Sequence, residues 1–284
     1  MDLQKILVPT DFSNESLTAL DHAALFAHTY DAEIVLLHVV ETYEFNAVLD
    51  NLGTSYEEIV KKGIEEKIQQ LITERDNLKG VTISSRIESG KVHRKVLAVA
   101  EELSADLIVM GTHGASGIGH LEKMVLGSNA YRIVNGSTIP VLTIRDANKK
   151  PRVERIILPL DITKKTMQKV KTAIDIAKKF KAHIYIVAIT EFLDDFNPNI
   201  DRIPKELEAV EHRVNAAGIE CTAAEIKYRD VAKGVIGYAE NVRGDLIVIM
   251  TRQENLIEEL ILGSHARKIV SQSHVPVLSV RPQK

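Results

Sequence analysis

Long hydrophobic runs are missing from this chain of 284 residues. Its apolar stretches are strand-sized, well short of the roughly 20 residues a helix needs to cross a bilayer. No basic segment followed by a long apolar stretch comes after Met1, so no secretory signal is expected and a cytoplasmic location is predicted, with no membrane partner. Cysteine is nearly absent. Cys221 stands alone, which rules out an internal disulfide and reads as a buried structural thiol. A surplus of one charge is lacking too. Lys and Arg number 36 against 39 Asp and Glu, for a net charge of −3. That balance gives no electrostatic reason to expect a nucleic-acid partner. What remains is 45% hydrophobic and 26% charged, the composition of an ordinary globular protein.

What is present occurs twice. Ile6-Leu7-Val8-Pro9-Thr10-Asp11 returns as Ile156-Ile157-Leu158-Pro159-Leu160-Asp161, and Asp106-Leu107-Ile108-Val109 as Asp245-Leu246-Ile247-Val248. The nine residues from Ser137 to Arg145 return from Ser273 to Arg281. Two copies of one fold follow, one spanning 1–146 and the other 152–284, joined by a polar segment that carries Pro151.

Within each copy, short β-branched runs alternate with amphipathic stretches. Copy one predicts strands near 5–9, 33–40, 81–87, 106–111 and 140–145, and helices near 14–30, 55–77, 92–103 and 124–136. Copy two predicts strands near 155–159, 183–190, 219–227, 245–250 and 276–281, and helices near 164–180, 200–217, 231–243 and 256–272. Strands such as Ile34–Leu37 are apolar throughout, as in parallel sheets covered on both faces. The fold class is therefore α/β, with two tandem Rossmann-like domains of right-handed βαβ units.

Ligands of such sheets sit beyond the carboxyl ends of the strands, where the strand order reverses. Three segments reach that edge in copy one: Pro9-Thr10-Asp11, His38–Glu41, and the run from Met110 and Gly111 through Thr112, His113 and Gly114 to Gly127-Ser128-Asn129-Ala130. Glycines let main-chain amides approach an anion, and a helix starting at Gly127-Ser128 would add free N–H groups. Four glycines (111, 114, 117, 119) are more than one turn requires. The P-loop lysine is missing and the first strand is not followed by glycines, so neither a Walker motif nor a dinucleotide fingerprint is present.

These residues resemble the universal stress protein family across both halves. The family pattern is Gly-x2-Gly-x9-Gly-[Ser/Thr] after the fourth strand, with an aspartate closing the first. Asp11, Gly111, Gly114 and Gly127-Ser128 supply it. The resemblance implies a five-stranded parallel sheet per domain and an ATP site in members that keep the glycines, with Mg²⁺ as counter-charge. It places Asp11 on the nucleoside and the main chain of Val39 on the adenine edge. Gly111 and Gly114 line the ribose and phosphate path, and Gly127, Ser128 and Asn129 hold the phosphates. His113 either assists the phosphates or is an exposed turn residue. Two departures stand out: twelve residues (115–126) separate Gly114 from Gly127, and Ala130 replaces a frequent hydroxyl. The resemblance also implies that the final strands pair within the chain as a pseudo-dimer, with a homodimer possible.

Copy two keeps Asp161 and Gly263-Ser264 but has Met250 and Gln253 where the leading glycines belong, and Glu254, Glu258 and Glu259 follow. The expectation is a degenerate second site without ATP. The functional reading is a stress-response sensor or regulatory binding module with at most slow ATP hydrolysis. The alternatives are a weak ATPase or a carrier of another small ligand. A metal held by His113 and His120 is a minor possibility.

Overall fold

The computed structural model describes residues 1–41, 55–113, 126–160, 166–190, 202–251 and 263–281. In the first half the strands are β1 (Lys5–Pro9), β2 (Glu33–Val40), β3 (Ile83–Ser89), β4 (Leu107–Gly111) and β5 (Val141–Ile144). The helices are α1 (Asn14–Tyr30), α2 (Ser55–Thr73), α3 (Val92–Glu102) and α4 (Ser128–Gly136). The second half has β6 (Arg155–Leu160), β7 (His183–Thr190), β8 (Cys221–Lys227), β9 (Leu246–Met250) and β10 (Val277–Val280). Its helices are α5 (Thr166–Phe180), α6 (Ile203–Ala216), α7 (Val231–Asn241) and α8 (Ser264–Gln272).

All ten strands form one sheet in the order β3-β2-β1-β4-β5-β10-β9-β6-β7-β8. Pairing is parallel within each half and antiparallel where β5 meets β10, with Leu142 opposite Leu278. The sheet separates two apolar layers. Val8, Leu36 and Val109 pack under α1, and Leu158, Ile186 and Val248 under α5 and α6. On the opposite face Leu7, Ile108 and Met110 pack under α3 and α4, and Ile157 and Ile247 under α7 and α8. Burial on both faces is what the unbroken apolar strands foretold.

The helix ends repeat as well. Asp31 and Lys181 take left-handed φ values of 58° and 55° just after α1 and α5. Ser104 and Arg243, at 50° and 53°, do the same after α3 and α7. In this conformation the N–H of Asp31 reaches back to the carbonyl of Ala27, satisfying a helix-end acceptor without glycine. The helix foreseen over 55–77 stops at Thr73 and gives way to a 3₁₀ turn at Asp76–Leu78. The strand foreseen at 81–87 runs from Ile83 to Ser89, in register with β2 to its end.

The repeated aspartate before β4 and β9 is a clasp at the amino edge of the sheet. Asp106 Oδ2 accepts the N–H groups of Gln4 and Lys5 at 2.8 and 2.9 Å. Asp245 accepts those of Glu154 and Arg155 at 3.1 and 3.0 Å, and the Arg152 guanidinium at 3.0 Å. Each fixes the first strand of its copy against the fourth. Cys221 opens the outer strand β8 and is half-buried rather than enclosed. Burial still raises its thiol pKa, so it is a poor thiolate.

Candidate functional site

In the first half the strand order reverses between β1 and β4: β2 and β3 lie on one side of β1, β4 and β5 on the other. The two strands share register only at Ile6–Leu107 and Leu7–Ile108. Beyond those pairs lies the carboxyl edge at the point of strand-order reversal, where ligands of such sheets bind.

One wall follows β1. Pro9 is opposite Leu37, and Thr10 is buried with its N–H on the Leu37 carbonyl at 2.8 Å. The Thr10 hydroxyl meets the Ser16 hydroxyl at 3.1 Å and accepts the Phe12 N–H at 3.1 Å. Asp11 Oδ1 accepts both the N–H and the hydroxyl of Ser13, at 3.0 and 2.6 Å. Phe12 between them is held at a φ of 63°, a conformation that non-glycine residues adopt at a cost. Its ring lies 4.9 Å from that of His38, and Lys67 of α2 stands 4.2 Å above it. His38 Nδ1 lies 2.8 Å from the Thr10 carbonyl. A carbonyl only accepts, so Nδ1 donates to it.

Val39 follows from strand alternation. Leu37 presents its carbonyl to Thr10, and main-chain groups two residues apart on a strand face the same side. Val39 therefore turns its N–H and C=O toward the space past the end of β1. A donor and an acceptor side by side there suit the edge of a planar heterocycle.

The opposite wall follows β4. Thr112 donates its N–H to Ile144 at 2.9 Å and contacts His113 Nδ1 through its hydroxyl at 3.0 Å. The Thr112 carbonyl accepts the Gly127 N–H at 3.1 Å, which ties the start of α4 to the end of β4. Gly127 is the cap residue, no side chain caps the helix, and the first closing bond runs from Tyr131 N–H to the Gly127 carbonyl. The amides of Ser128, Asn129 and Ala130 are thus first-turn donors at a positive helix end.

Several sequence expectations change here. Gly111 is bare for a packing reason: a Cβ there would lie 3.0 Å from Glu15 Cβ and 3.2 Å from Ser16 N, so its lack of a side chain seats the first turn of α1. A Cβ at Gly127 would lie 2.8 Å from the Thr112 carbonyl oxygen, so this glycine serves the local main chain before any phosphate. The side chains of Met110 and Ala130 point into the core beneath α3 and α4, leaving only their main chain for the site. His93 of α3, a residue the sequence did not single out, has its pKa held below the usual histidine value by desolvation first and then by Arg132 of α4. Gly114, Gly117, Gly119 and His120 lie outside the described residues. Among the described residues no group of three or more metal-ligating side chains occurs, and no helix is long and apolar enough to cross a membrane.

Copy two keeps the cradle's main chain. Gly263 caps α8 at φ −53° and ψ 148°, against −55° and 144° for Gly127. The side chains around it differ. Asp230 caps α7, accepting the Lys233 N–H, and pairs with Lys268 of α8 at 2.8 Å. Lys91 holds the corresponding cap of α3 with no side-chain bond. Met250 replaces Gly111 at the end of β9. Asp161, Gln253, Glu254, Glu258 and Glu259 lie outside the described residues. A pocket of about 480 Å³ exists elsewhere, at the amino edge of the first half, lined by Lys5, His28, Asp31 and Glu33 among others. Away from the topological crevice, it offers a shallow polar surface.

Comparison with known proteins agrees with this architecture. The model of the Universal stress protein family matches residues 2–145 and again 152–281. A universal stress protein of Methanocaldococcus jannaschii is 34% identical over 152 residues, covering 53% of this chain and 85% of the relative. One from Mycolicibacterium smegmatis is 23% identical over 290 residues, covering 98% of this chain and 97% of its own. The crystal structure of a universal stress protein from Archaeoglobus fulgidus superposes with a TM-score of 0.77 at 20% identity, covering 100% of this chain and 98% of that one.

Proposed function

This chain belongs to the universal stress protein family, and on that footing we propose that its first domain, residues 1–146, is an adenine-nucleotide binding module whose occupancy reports a stress state. The supporting observation is the start of α4: three first-turn amides with no side-chain cap, tied by Gly127 to the end of β4 at the reversal of strand order. Val39 would read the adenine edge, and Asp11 would take the ribose. Ser128 and the main chain of Asn129 and Ala130 would hold the phosphates, with His113 beside them. ATP fits this set because its charge meets a helix N-terminus and its heterocycle meets a donor–acceptor pair. Mg²⁺ would ride on the phosphates, since no acidic cage is found among the described residues.

The second domain, residues 152–284, serves as scaffold or regulatory partner, with β5 and β10 joining the two as a pseudo-dimer. The main-chain cradle alone does not separate the copies, because its cap geometry is shared; the added carboxylate of Asp230, where copy one has Lys91, does. Hydrolysis is at most slow. A cytoplasmic setting suits such a sensor.

Calorimetric titration of the full chain with ATP tests the reading. One ATP per chain is expected, with Ser128→Ala weakening it and leaving the melting temperature in place. Two equivalent sites would overturn the assignment of the second domain, and no binding of ATP, AMP or adenosine would overturn that of the first.

A further inference from the structure

The turn that carries Asp11 is held by a chain of hydrogen bonds running through Thr10. The Phe12 N–H donates to the Thr10 hydroxyl at 3.1 Å. That hydroxyl meets Ser16 Oγ at 3.1 Å, and Ser16 donates in turn to the Ser13 carbonyl at 2.9 Å. With the Ser16 hydrogen engaged there, Thr10 is the donor between the two hydroxyls. Ser13, the cap of α1, completes the ring by giving its N–H and its hydroxyl to Asp11 Oδ1. From outside the turn β2 grips Thr10 twice. Its N–H donates to the Leu37 carbonyl and its carbonyl accepts from His38 Nδ1, both at 2.8 Å. That carbonyl belongs to the planar unit joining Thr10 to Asp11, so the imidazole sets the plane from which Asp11 projects. The Phe12 ring, 4.9 Å from the imidazole, braces it from the other side of Asp11.

The second half keeps Asp161 in its sequence but not this support. The equivalent pairs Pro9–Leu37 and Pro159–Val187 make Leu160 the counterpart of Thr10 and Ala188 that of His38. Neither carries a side-chain donor, and both pack in or against the apolar layer.

We propose that His38 is the positioning residue of the nucleoside half of the first-domain site: by holding the Thr10–Asp11 unit it presents the Asp11 carboxylate to a ribose, and so selects ribonucleotides over nucleotides that lack the sugar hydroxyls. The inference rests on the nucleotide reading above and adds to it a specificity and the residue that enforces it. A carboxylate accepts from sugar hydroxyls, and such a charge-assisted bond discriminates only while its acceptor is held in place.

The test is calorimetry of the full chain with ATP and with 2′,3′-dideoxy-ATP, with thermal melts confirming that each variant is folded. Wild type should prefer ATP. His38→Phe keeps a ring against Phe12 and removes the N–H; it should weaken ATP by about tenfold and leave the dideoxy analogue unchanged. His38→Asn, which restores a side-chain N–H near the place of Nδ1, should recover most of the preference. In an Asp11→Asn background, His38→Phe should cause no further loss. An equal fall for both ligands in His38→Phe, or an undiminished preference for ATP, overturns the role of His38 while leaving the nucleotide site. Equal binding of the two ligands by wild type overturns the ribose assignment of Asp11, and His38 with it, but not the site. Absence of binding by both ligands overturns the site and this role together.

Discussion

Arg145 Nη1 donates to the main-chain oxygen of Gln272 at 2.8 Å. The relation is reciprocal, since Arg281 Nη1 donates to the oxygen of Ser137 at 2.9 Å. Each copy's last strand thus ends in a guanidinium that reaches the carboxyl end of the other copy's last helix. A cation there answers both the unpaired carbonyls and the negative helix end. On the opposite face the join is apolar, where Phe180 meets Phe26 edge-on at 5.0 Å. Arg145→Ala and Arg281→Ala should each destabilise the chain by about 1 kcal/mol. Denaturant titration checks this; an unchanged midpoint in the double variant would show that the clasps contribute nothing.

His22 makes stability depend on pH. It is buried in α1 and contacts the carbonyl of Lys149 in the segment joining the two halves. Burial lowers its pKa from 6.5 to about 4. Between those values the unfolded chain binds more protons than the native one. Stability from this group is therefore full above pH 6.5 and is lost as pH falls toward 4, by about 3 kcal/mol. Unfolding free energies at pH 7 and pH 5 should differ in wild type, and the difference should shrink in His22→Asn.

The aspartate clasps should be costly to break. Asp245 is 1% exposed and accepts two main-chain N–H groups and a guanidinium. Asp245→Ala leaves those donors without their acceptor, and a loss of about 3 kcal/mol is expected. Asp106→Ala, where the clasp is more open, should cost less. Thermal melts of the two variants rank them, and the reverse order would contradict the burial argument.

Gly127 gives a prediction the sequence alone would misjudge. The sequence suggests that Gly127→Val blocks a phosphate and spares the fold. With the Thr112 carbonyl oxygen 2.8 Å from where a Cβ would sit, even Gly127→Ala must push β4 and α4 apart. A destabilisation of about 1–3 kcal/mol is expected, read as a lowered melting temperature in the absence of any ligand. A melting temperature equal to that of wild type would restore the simpler reading.

The sequence by itself determined the repeat, the parallel sheet and nearly every element. Those follow from periodicity and unbroken apolar strands, which act locally and recur in both halves. It also marked the crevice, because the residues ending β1 and β4 are fixed by strand order. What it could not supply was direction. A glycine read along the chain does not reveal whether its bare face meets a ligand, as expected of Gly111, or the backbone of α1, as found. Arg145 and Gln272 lie in different halves and carry no joint signal until β5 and β10 pair. The tertiary structure decided these points, because side-chain direction and long-range electrostatics exist only once the helices are docked on the sheet.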